Sequence, residues 1–334
     1  METIRVMNES PASQHWLDRF PKDQGVALIS ENRPFFHEEG AYDDQYGIQA
    51  ADDSGLGIAN LLRKFDSDFS GPVLELGCGT GKATVGLCKS EAFPWFLITD
   101  SSKTFLDITR RKLERNGIAL GNVRFAVFSD TDLDRLPVGS LSAIVLRSTL
   151  HHFTDVPRWI AAAARTLRPG GTLVFEEPCS PGYLLMGLVA QVAATTQNNG
   201  LTQEQREQAA YLAETIKAYH RRDLDKSAWE DKHVFRPDEM IVWGRDAGLT
   251  THFLPNSTFE HYAHTTSPEI GTIDFEKFVR DYLQYCMGYG AASADQITKS
   301  VQPLCRYVVE ACSGTQEPYL LGTFVMQRPR EEMA

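Results

Sequence analysis

The amino-acid sequence predicts an α/β fold in which a seven-stranded, mostly parallel, doubly wound sheet carries helical cap insertions. Three observations lead to this prediction. Short apolar runs alternate with helical patterns along most of the chain, a glycine-rich turn follows the first of these runs, and two segments are longer than strand-to-strand crossovers need.

The predicted strands are continuous apolar runs, which suit parallel strands covered by helices on both faces. They lie at 73–76, 95–99, 123–128, 143–146, 172–175, 250–254 and 320–326. Helical patterns occupy the first crossovers, at about 82–89, 102–116 and 156–167. Together these elements account for a complete seven-stranded core.

The remaining regions divide into an arm and a cap. Residues 1–52 are polar with little periodicity, and they predict an N-terminal arm able to fold over a ligand. The core comprises 53–181, 233–257 and 317–330, and the cap comprises 182–232 and 258–316. Apolar stripes at helical spacing predict that the cap helices mainly pack against one another: Leu212, Ala213 and Ile216; Phe275, Phe278, Val279 and Tyr282; Ile297, Val301, Leu304 and Val308.

Composition narrows the class of protein. The net charge is −11 at pH 7, with 44 Asp and Glu against 33 Lys and Arg, which opposes contact with nucleic acid. The six cysteines show no zinc-type spacing, so no metal site is expected. The first residues lack a secretory signal, and the most apolar stretch, 183–194, is too short to span a bilayer. These features predict a cytoplasmic protein with no membrane contact, and they leave its oligomeric state open.

A glycine-rich turn follows the first strand. The segment VLELGCGTGKAT, residues 73–84, places Gly77, Gly79 and Gly81 between a strand and a helix start, where positive φ and close ligand approach require glycine. A P-loop would need glycine at Leu76 and Ser or Thr at Ala83. A dinucleotide fingerprint would need its third glycine at 82, one residue later than Gly81. The sequence therefore excludes a P-loop and disfavours a dinucleotide-binding loop.

The pattern Glu75-Leu76-Gly77-x-Gly79-x-Gly81 resembles the first motif of class I, Rossmann-like, S-adenosylmethionine-dependent methyltransferases. The resemblance extends over about residues 55–180 and implies S-adenosylmethionine as the cofactor. It further implies that the acid at Glu75 orients the glycine loop, which includes Cys78, and the methionine amino end.

Two acidic positions follow the next strands. Asp100, with Ser101, lies about two dozen residues past the glycines, where a carboxylate accepts from both ribose hydroxyls; the alternative is a helix cap. Asp130, with Thr131, resembles the adenine-side acid of the family, and here the helix-cap alternative is stronger. Arg147, at the end of the fourth strand, replaces a residue that is usually smaller, so backbone contact with the cofactor is expected there.

The sequence gives fewer indications of the residues that contact the methyl acceptor. Methyl transfer from an activated sulfonium needs alignment and exclusion of water but no metal, and a base only for a hydroxyl or protonated amine. The neighbours His152 and His151 are the catalytic candidates, with His152 the first choice for that base, and at most one of them is expected to reach the pocket because adjacent side chains point in different directions. His233 and Glu177 are further candidates, expected to contact the substrate. Packing or capping is the alternative role for each.

These observations predict methyl transfer to an oxygen or nitrogen of a small metabolite enclosed by the helical cap. Two alternatives stay open. One is a non-catalytic protein that binds S-adenosylmethionine or S-adenosylhomocysteine, since the sequence does not identify acceptor residues. The other is a nicotinamide-dependent dehydrogenase, which the glycine spacing disfavours.

Overall fold

The structure, a computed structural model, describes residues 15–33, 51–256, 275–312 and 319–330. A single sheet of nine strands forms its centre, in the order β1-β2-β5-β4-β3-β6-β7-β9-β8. The strands are β1 Lys22–Asp23, β2 Val26–Leu28, β3 Val73–Leu76, β4 Phe96–Asp100, β5 Val123–Val127, β6 Leu141–Arg147, β7 Leu167–Pro178, β8 Thr250–Asn256 and β9 Leu321–Gln327.

The topology is that of a doubly wound sheet. β3 lies centrally and pairs in parallel with β4 on one side and β6 on the other, while β9 runs antiparallel to both β7 and β8. The strand order therefore reverses at β3, and ligands of such sheets bind at the carboxyl ends of the strands beside this switch point. The glycine turn follows β3. The α/β class, the mostly parallel sheet and all seven predicted core strands are confirmed.

The strand count is corrected from seven to nine, because the N-terminal arm joins the sheet. β1 and β2 form a hairpin, and β2 pairs in parallel with β5 at the sheet edge. Strands of two and three residues are too short to show a period in sequence. Beyond them, Arg33 N donates to Ser101 O at 2.8 Å and Lys103 N donates to Asn32 Oδ1 at 2.7 Å. The arm thus reaches the carboxyl end of β4.

Helices cover both faces of the sheet. Leu74 of β3 belongs to one buried cluster with Trp159 and Ile160, whereas Val73 belongs to another with Leu62 and Val85. Alternate residues of one strand therefore face opposite layers. The helices are α1 Ala51–Lys64, α2 Thr84–Lys89, α3 Lys103–Arg115, α4 Val156–Thr166, α5 Gly182–Thr195, α6 Gln203–His220, α7 Pro237–Asp246, α8 Phe275–Asp281, α9 Ala291–Ser300 and α10 Gln302–Ala311. None of these described helices has the length and apolar composition needed to cross a membrane.

The two long insertions contain α5, α6, α8, α9 and α10, and they share one hydrophobic cluster. Met186 of α5, Leu212 of α6, Phe278 of α8 and Ile297 of α9 are all buried within it. One predicted stripe differs: α9 and α10 are separate helices, with Pro303 in the first turn of α10. The register changes there, so Cys305 is buried while Leu304 is 38% exposed. Residues 258–274 and 313–316 of the predicted cap lie outside the described residues.

Candidate functional site

The turn after β3 has the conformation that requires glycine. Gly77, Gly79 and Gly81 have φ values of +73°, +52° and +86°, in the left-handed region that other residues rarely adopt. A Cβ atom at Gly77 would lie 2.5 Å from Thr149 Cγ2, so the residues after β6 approach this backbone closely. The glycine loop and the turn after β6 therefore meet at the switch point of the sheet.

Asp100 joins the loops after β3 and β4. Its Oδ2 accepts from Gly79 N and its Oδ1 accepts from Ser102 N, both at 2.9 Å. Ser102, not Asp100, caps α3, since the Ser102 side chain accepts from Phe105 N. The helix-capping role that was the alternative for Asp100 is therefore taken by Ser102. The buried Asp100 carboxylate lies at the strand end with contacts that fix its orientation.

A similar division of roles occurs after β5. Ser129 is the N-cap of the turn that follows, and Asp132 completes a capping box because its Oδ2 accepts from Ser129 N at 2.7 Å, so capping does not fall to Asp130. Asp130 is half-buried, and burial raises its pKa while the charges of Arg33 and Lys232 oppose the rise. Thr131 is exposed beside it. The acid stays near the surface at the edge that the arm approaches.

Glu75 lies beneath the glycine loop. It is 3% exposed, and burial together with the charge of Asp100 raises its pKa to about 8, against the effect of the Thr84 hydroxyl. Its Oε2 has no hydrogen-bond partner among the described residues. Cys78 is also buried, which raises the pKa of its thiol. A protonated acid and a neutral thiol therefore underlie the loop near neutral pH.

The side chain of Arg147 lies on the α1 face of the sheet, where Nε donates to Glu176 Oε1 at 3.2 Å. The pair borders a cavity of about 30 Å³, also lined by Ser54, Ile58 and Thr323. Such a volume holds roughly two waters. The side chain of Arg147 thus forms an internal ion pair through Nε.

Four side chains meet at the ends of β6 and β7 and are named here the histidine cluster: His151, His152, Glu177 and Asp231. Glu177 Oε1 accepts from the amides of Thr149 at 2.9 Å and Leu150 at 2.6 Å, and Glu177 Oε2 lies 2.6 Å from His151 Nδ1. Asp231 Oδ1 lies 3.3 Å from both His151 Nε2 and His152 Nδ1. The two carboxylates therefore hold His151 from opposite sides.

The two histidines have opposite electrostatics. Burial lowers the pKa of His151, but the carboxylates of Glu177 and Asp231 outweigh it and raise that pKa to about 10. Burial and the charge of His151 lower the pKa of His152 to about 3. Their ring centroids are 4.1 Å apart. The expectation that neighbouring side chains diverge is wrong here, because a 3-10 turn over Leu150–His152 brings both rings to Asp231.

The structure changes the roles expected of two further residues. Glu177 is completely buried with both oxygens occupied, so it anchors the turn after β6 instead of contacting a substrate. The His233 ring lies near Phe235, with Nδ1 3.4 Å from Arg222 Nη1. Asp231, which sequence reasoning missed, takes the place beside the histidines. Its only sequence signal is the polar run Glu230–His233.

The comparisons with known proteins agree with this geometry. Residues 73–171 match the family model described as a methyltransferase domain. The chain is 31% identical over 166 residues to the ubiquinone/menaquinone biosynthesis C-methyltransferase UbiE of Vibrio campbellii, covering 48% of this chain and 61% of that protein. It is also 31% identical over 105 residues to the reducing polyketide synthase Preu2 of Preussia isomera, covering 31% of this chain and 4% of that protein. The chain thus spans less than two thirds of these curated relatives.

The fold has a matching structural neighbour. A structure from Galdieria sulphuraria assigned as a sarcosine dimethylglycine methyltransferase aligns with a TM-score of 0.50 and 11% identity, over 87% of this chain and 98% of that one. At this identity the likeness concerns the fold alone. With the family match and the strand-end geometry, residues 73–171 form a class I methyltransferase domain, the class that uses S-adenosylmethionine.

The described residues fit this cofactor. The Oε2 of Glu75, which precedes the glycine loop, is a buried polar atom with no hydrogen-bond partner among the described residues. Each carboxylate oxygen of Asp100 can accept more than one hydrogen bond, so ribose hydroxyls are compatible with its contacts to Gly79 and Ser102. The donors and acceptors present therefore suit an amino acid end and a ribose.

Proposed function

We propose that this chain is an S-adenosylmethionine-dependent methyltransferase that acts on an oxygen or nitrogen of a small molecule. The observation that carries the proposal is the joining of the glycine loop to the ribose-side acid, in which Asp100 accepts from Gly79 N at 2.9 Å. This contact places a fixed carboxylate beside three left-handed glycines at the switch point of the sheet. Neither feature is needed for the stability of a plain α/β sheet.

The cofactor, when bound, supplies a methyl group activated by its sulfonium charge. In our proposal Glu75 and Gly77 hold the methionine end, Asp100 the ribose and Asp130 the adenine. Cys78, Gly79, Gly81, Ser101 and Thr131 line the same loops, and the backbone of Arg147 adjoins them. These residues bind and orient the cofactor, and alignment of the reactants is the main requirement of an in-line displacement.

The acceptor is proposed to be a small molecule for two reasons. The net charge of −11 disfavours nucleic acid, and the helical insertions flank the carboxyl edge where the histidine cluster lies. Tyr183 and Tyr282 of the insertions pack against each other at 5.6 Å within the cap, whereas Trp229, 40% exposed, lies two residues from Asp231. We propose Trp229, whose ring centroid lies 6.5 Å from that of Tyr219, as an aromatic side chain that contacts the acceptor.

The atom that receives the methyl group decides the role of the histidines. A hydroxyl acceptor needs its proton removed, and His152, with His151 beside it, is the proposed catalytic residue for that step. Relatives named as C-methyltransferases make a carbon acceptor the second candidate. Mass spectrometry and NMR of the product formed with ¹³C-methyl cofactor distinguish an O–CH₃ or N–CH₃ bond from a C–CH₃ bond.

Calorimetric titration with S-adenosylmethionine tests the core of the proposal. Asp100→Ala should weaken binding tenfold or more, because charge-assisted hydrogen bonds contribute about 1.5–3 kcal/mol. Asp107→Ala is the matched control, since Asp107 lies on the following helix and pairs with Lys103 at 3.1 Å. The control should bind like the wild type. Equal affinities for wild type and Asp100→Ala would remove the ribose assignment.

A further inference from the structure

Three potential metal ligands converge in the histidine cluster. His151 Nε2 and His152 Nδ1 each lie 3.3 Å from Asp231 Oδ1, and the three ligand atoms lie within 4.8 Å of one another. Two ligands bound about 2.0–2.1 Å from a tetrahedral ion lie roughly 3.3 Å apart. Both nitrogen-to-oxygen distances therefore match an edge of such a coordination sphere.

Glu177 determines which nitrogen of His151 faces the other ligands. Its Oε2 lies 2.6 Å from Nδ1, so Nε2 points toward Asp231. Metal-binding histidines commonly donate their second nitrogen to a carboxylate, which fixes the orientation of the ring and raises its basicity. The Thr149 and Leu150 amides hold Glu177 in place in turn. The His151 ring is therefore preorganised.

The local charge favours a cation. Glu177 and Asp231 contribute two negative charges and the neighbouring Lys232 one positive charge, so a metal ion that replaces the proton of His151 meets a net charge of −1. The carbonyl of Glu230, which lies 3.1 Å from His152 Nδ1, also accepts from Lys232 Nζ at 3.2 Å. If His152 Nδ1 binds an ion, the Glu230 carbonyl still accepts a hydrogen bond from Lys232 Nζ. Metal binding thus leaves no buried acceptor without a partner among these groups.

We infer that His151, His152 and Asp231 bind one divalent transition-metal ion, with Zn²⁺ the best match to two imidazoles and a carboxylate. Mg²⁺ and Ca²⁺ prefer all-oxygen sites. Three protein ligands leave a coordination position open for water or for an oxygen of the acceptor, and only that last assignment rests on the proposed function. His152 is a ligand when the ion is bound, so its proposed role as a base applies to the metal-free protein. The inference revises the sequence expectation of no metal.

The test uses the full chain, freed of metal with chelator and of any histidine tag. Titration with Zn²⁺, followed by elemental analysis, should give one equivalent bound with micromolar or tighter affinity. Co²⁺ should give the intense visible absorption bands of a four- or five-coordinate ion. Asp231→Asn should weaken Zn²⁺ binding at least a hundredfold, and Glu177→Gln by about 10- to 100-fold.

Asp225→Asn is the control, because Asp225 lies exposed in the same segment and accepts from Ser227 N. Its Zn²⁺ affinity should equal that of the wild type. His152→Ala provides a second ligand variant in case Asp231→Asn fails to fold, which circular dichroism reports. Wild-type affinity in both ligand variants, or no stoichiometric binding by the wild type, would overturn the inference. Titration with S-adenosylmethionine is run separately, so loss of the proposed function leaves the metal result intact.

Discussion

The two halves of the carboxyl edge are built differently. The glycine half, formed by the loops after β3, β4 and β5, is held by contacts close in sequence, such as Gly79 to Asp100. The histidine half is completed by Asp231, which arrives from the insertion that follows α6 and meets His151 some eighty positions away. Local motifs thus assemble the half proposed for the cofactor, and tertiary packing assembles the half proposed for the acceptor.

This difference indicates which half of the carboxyl edge tolerates amino-acid substitutions. A glycine with φ above zero or a carboxylate that accepts two backbone amides can be replaced only with loss of the loop. The insertion has its own hydrophobic cluster, so its sequence can change around a preserved core. We expect a shared cofactor half and a divergent acceptor half among proteins with this sheet.

The largest effect is expected where the histidine half is anchored. Glu177→Ala removes the acceptor for the Thr149 and Leu150 amides and for His151 Nδ1, all buried or half-buried. The free energy of unfolding should fall by about 3–5 kcal/mol, because two backbone amides lose their acceptor and His151 loses the nearer of its two carboxylates. Urea unfolding measures the change. Exposed Glu214→Ala is the control, with an expected change below about 0.5 kcal/mol.

A smaller effect is expected where the halves meet. Gly77→Ala should weaken S-adenosylmethionine binding about a hundredfold, because the new Cβ would lie 2.5 Å from Thr149 Cγ2 and φ is +73°. Adding Thr149→Ala should recover about tenfold, since only the backbone cost of roughly 1–2 kcal/mol then remains.

Gly117→Ala is the matched control for that experiment. Its φ is +72°, but a Cβ there meets nothing within 4 Å. Calorimetry should give wild-type cofactor affinity for this variant. If the double variant binds no better than Gly77→Ala, the close approach of the two halves does not explain the loss.

The smallest effect concerns the pH dependence of the glycine half. The folded-state pKa of Glu75 is raised from 4.5 to about 8 by burial, so the folded state holds a proton that the unfolded state releases between these values. The stability that this proton provides is complete below pH 4.5 and is lost as the pH rises through 8. Glu75→Gln should remove this loss, which amounts to at most about 1.4 kcal/mol per pH unit.

Urea unfolding of wild type and Glu75→Gln at pH 5, 6, 7 and 8 measures the difference. The raised pKa of His151 acts in the same direction up to about 10, but it is common to both proteins and cancels. The variant should gain relative to the wild type as the pH rises. Parallel stability curves would show that Glu75 does not titrate in this range. Exposed Glu114→Gln serves as the control.

The sequence by itself determined the sheet and the glycine half. A continuous apolar run predicted the exact bounds of β3, and the spacing of Gly77, Gly79 and Gly81 identified the turn. Both could be predicted because local residue types determine strand patterns and left-handed backbone conformations. Asp100 followed from its distance along the chain to that turn.

Only the tertiary structure decided the strand pairing of the arm, the burial of Glu177 and the place of Asp231. β2 has three residues, too few for a period, and it becomes a strand because β5 offers an unpaired edge. Glu177 and Asp231 look like ordinary acids in the sequence. Their roles arise from contacts with His151, and only the pairing of β6 with β7 and the packing of the insertion after α6 bring these side chains together.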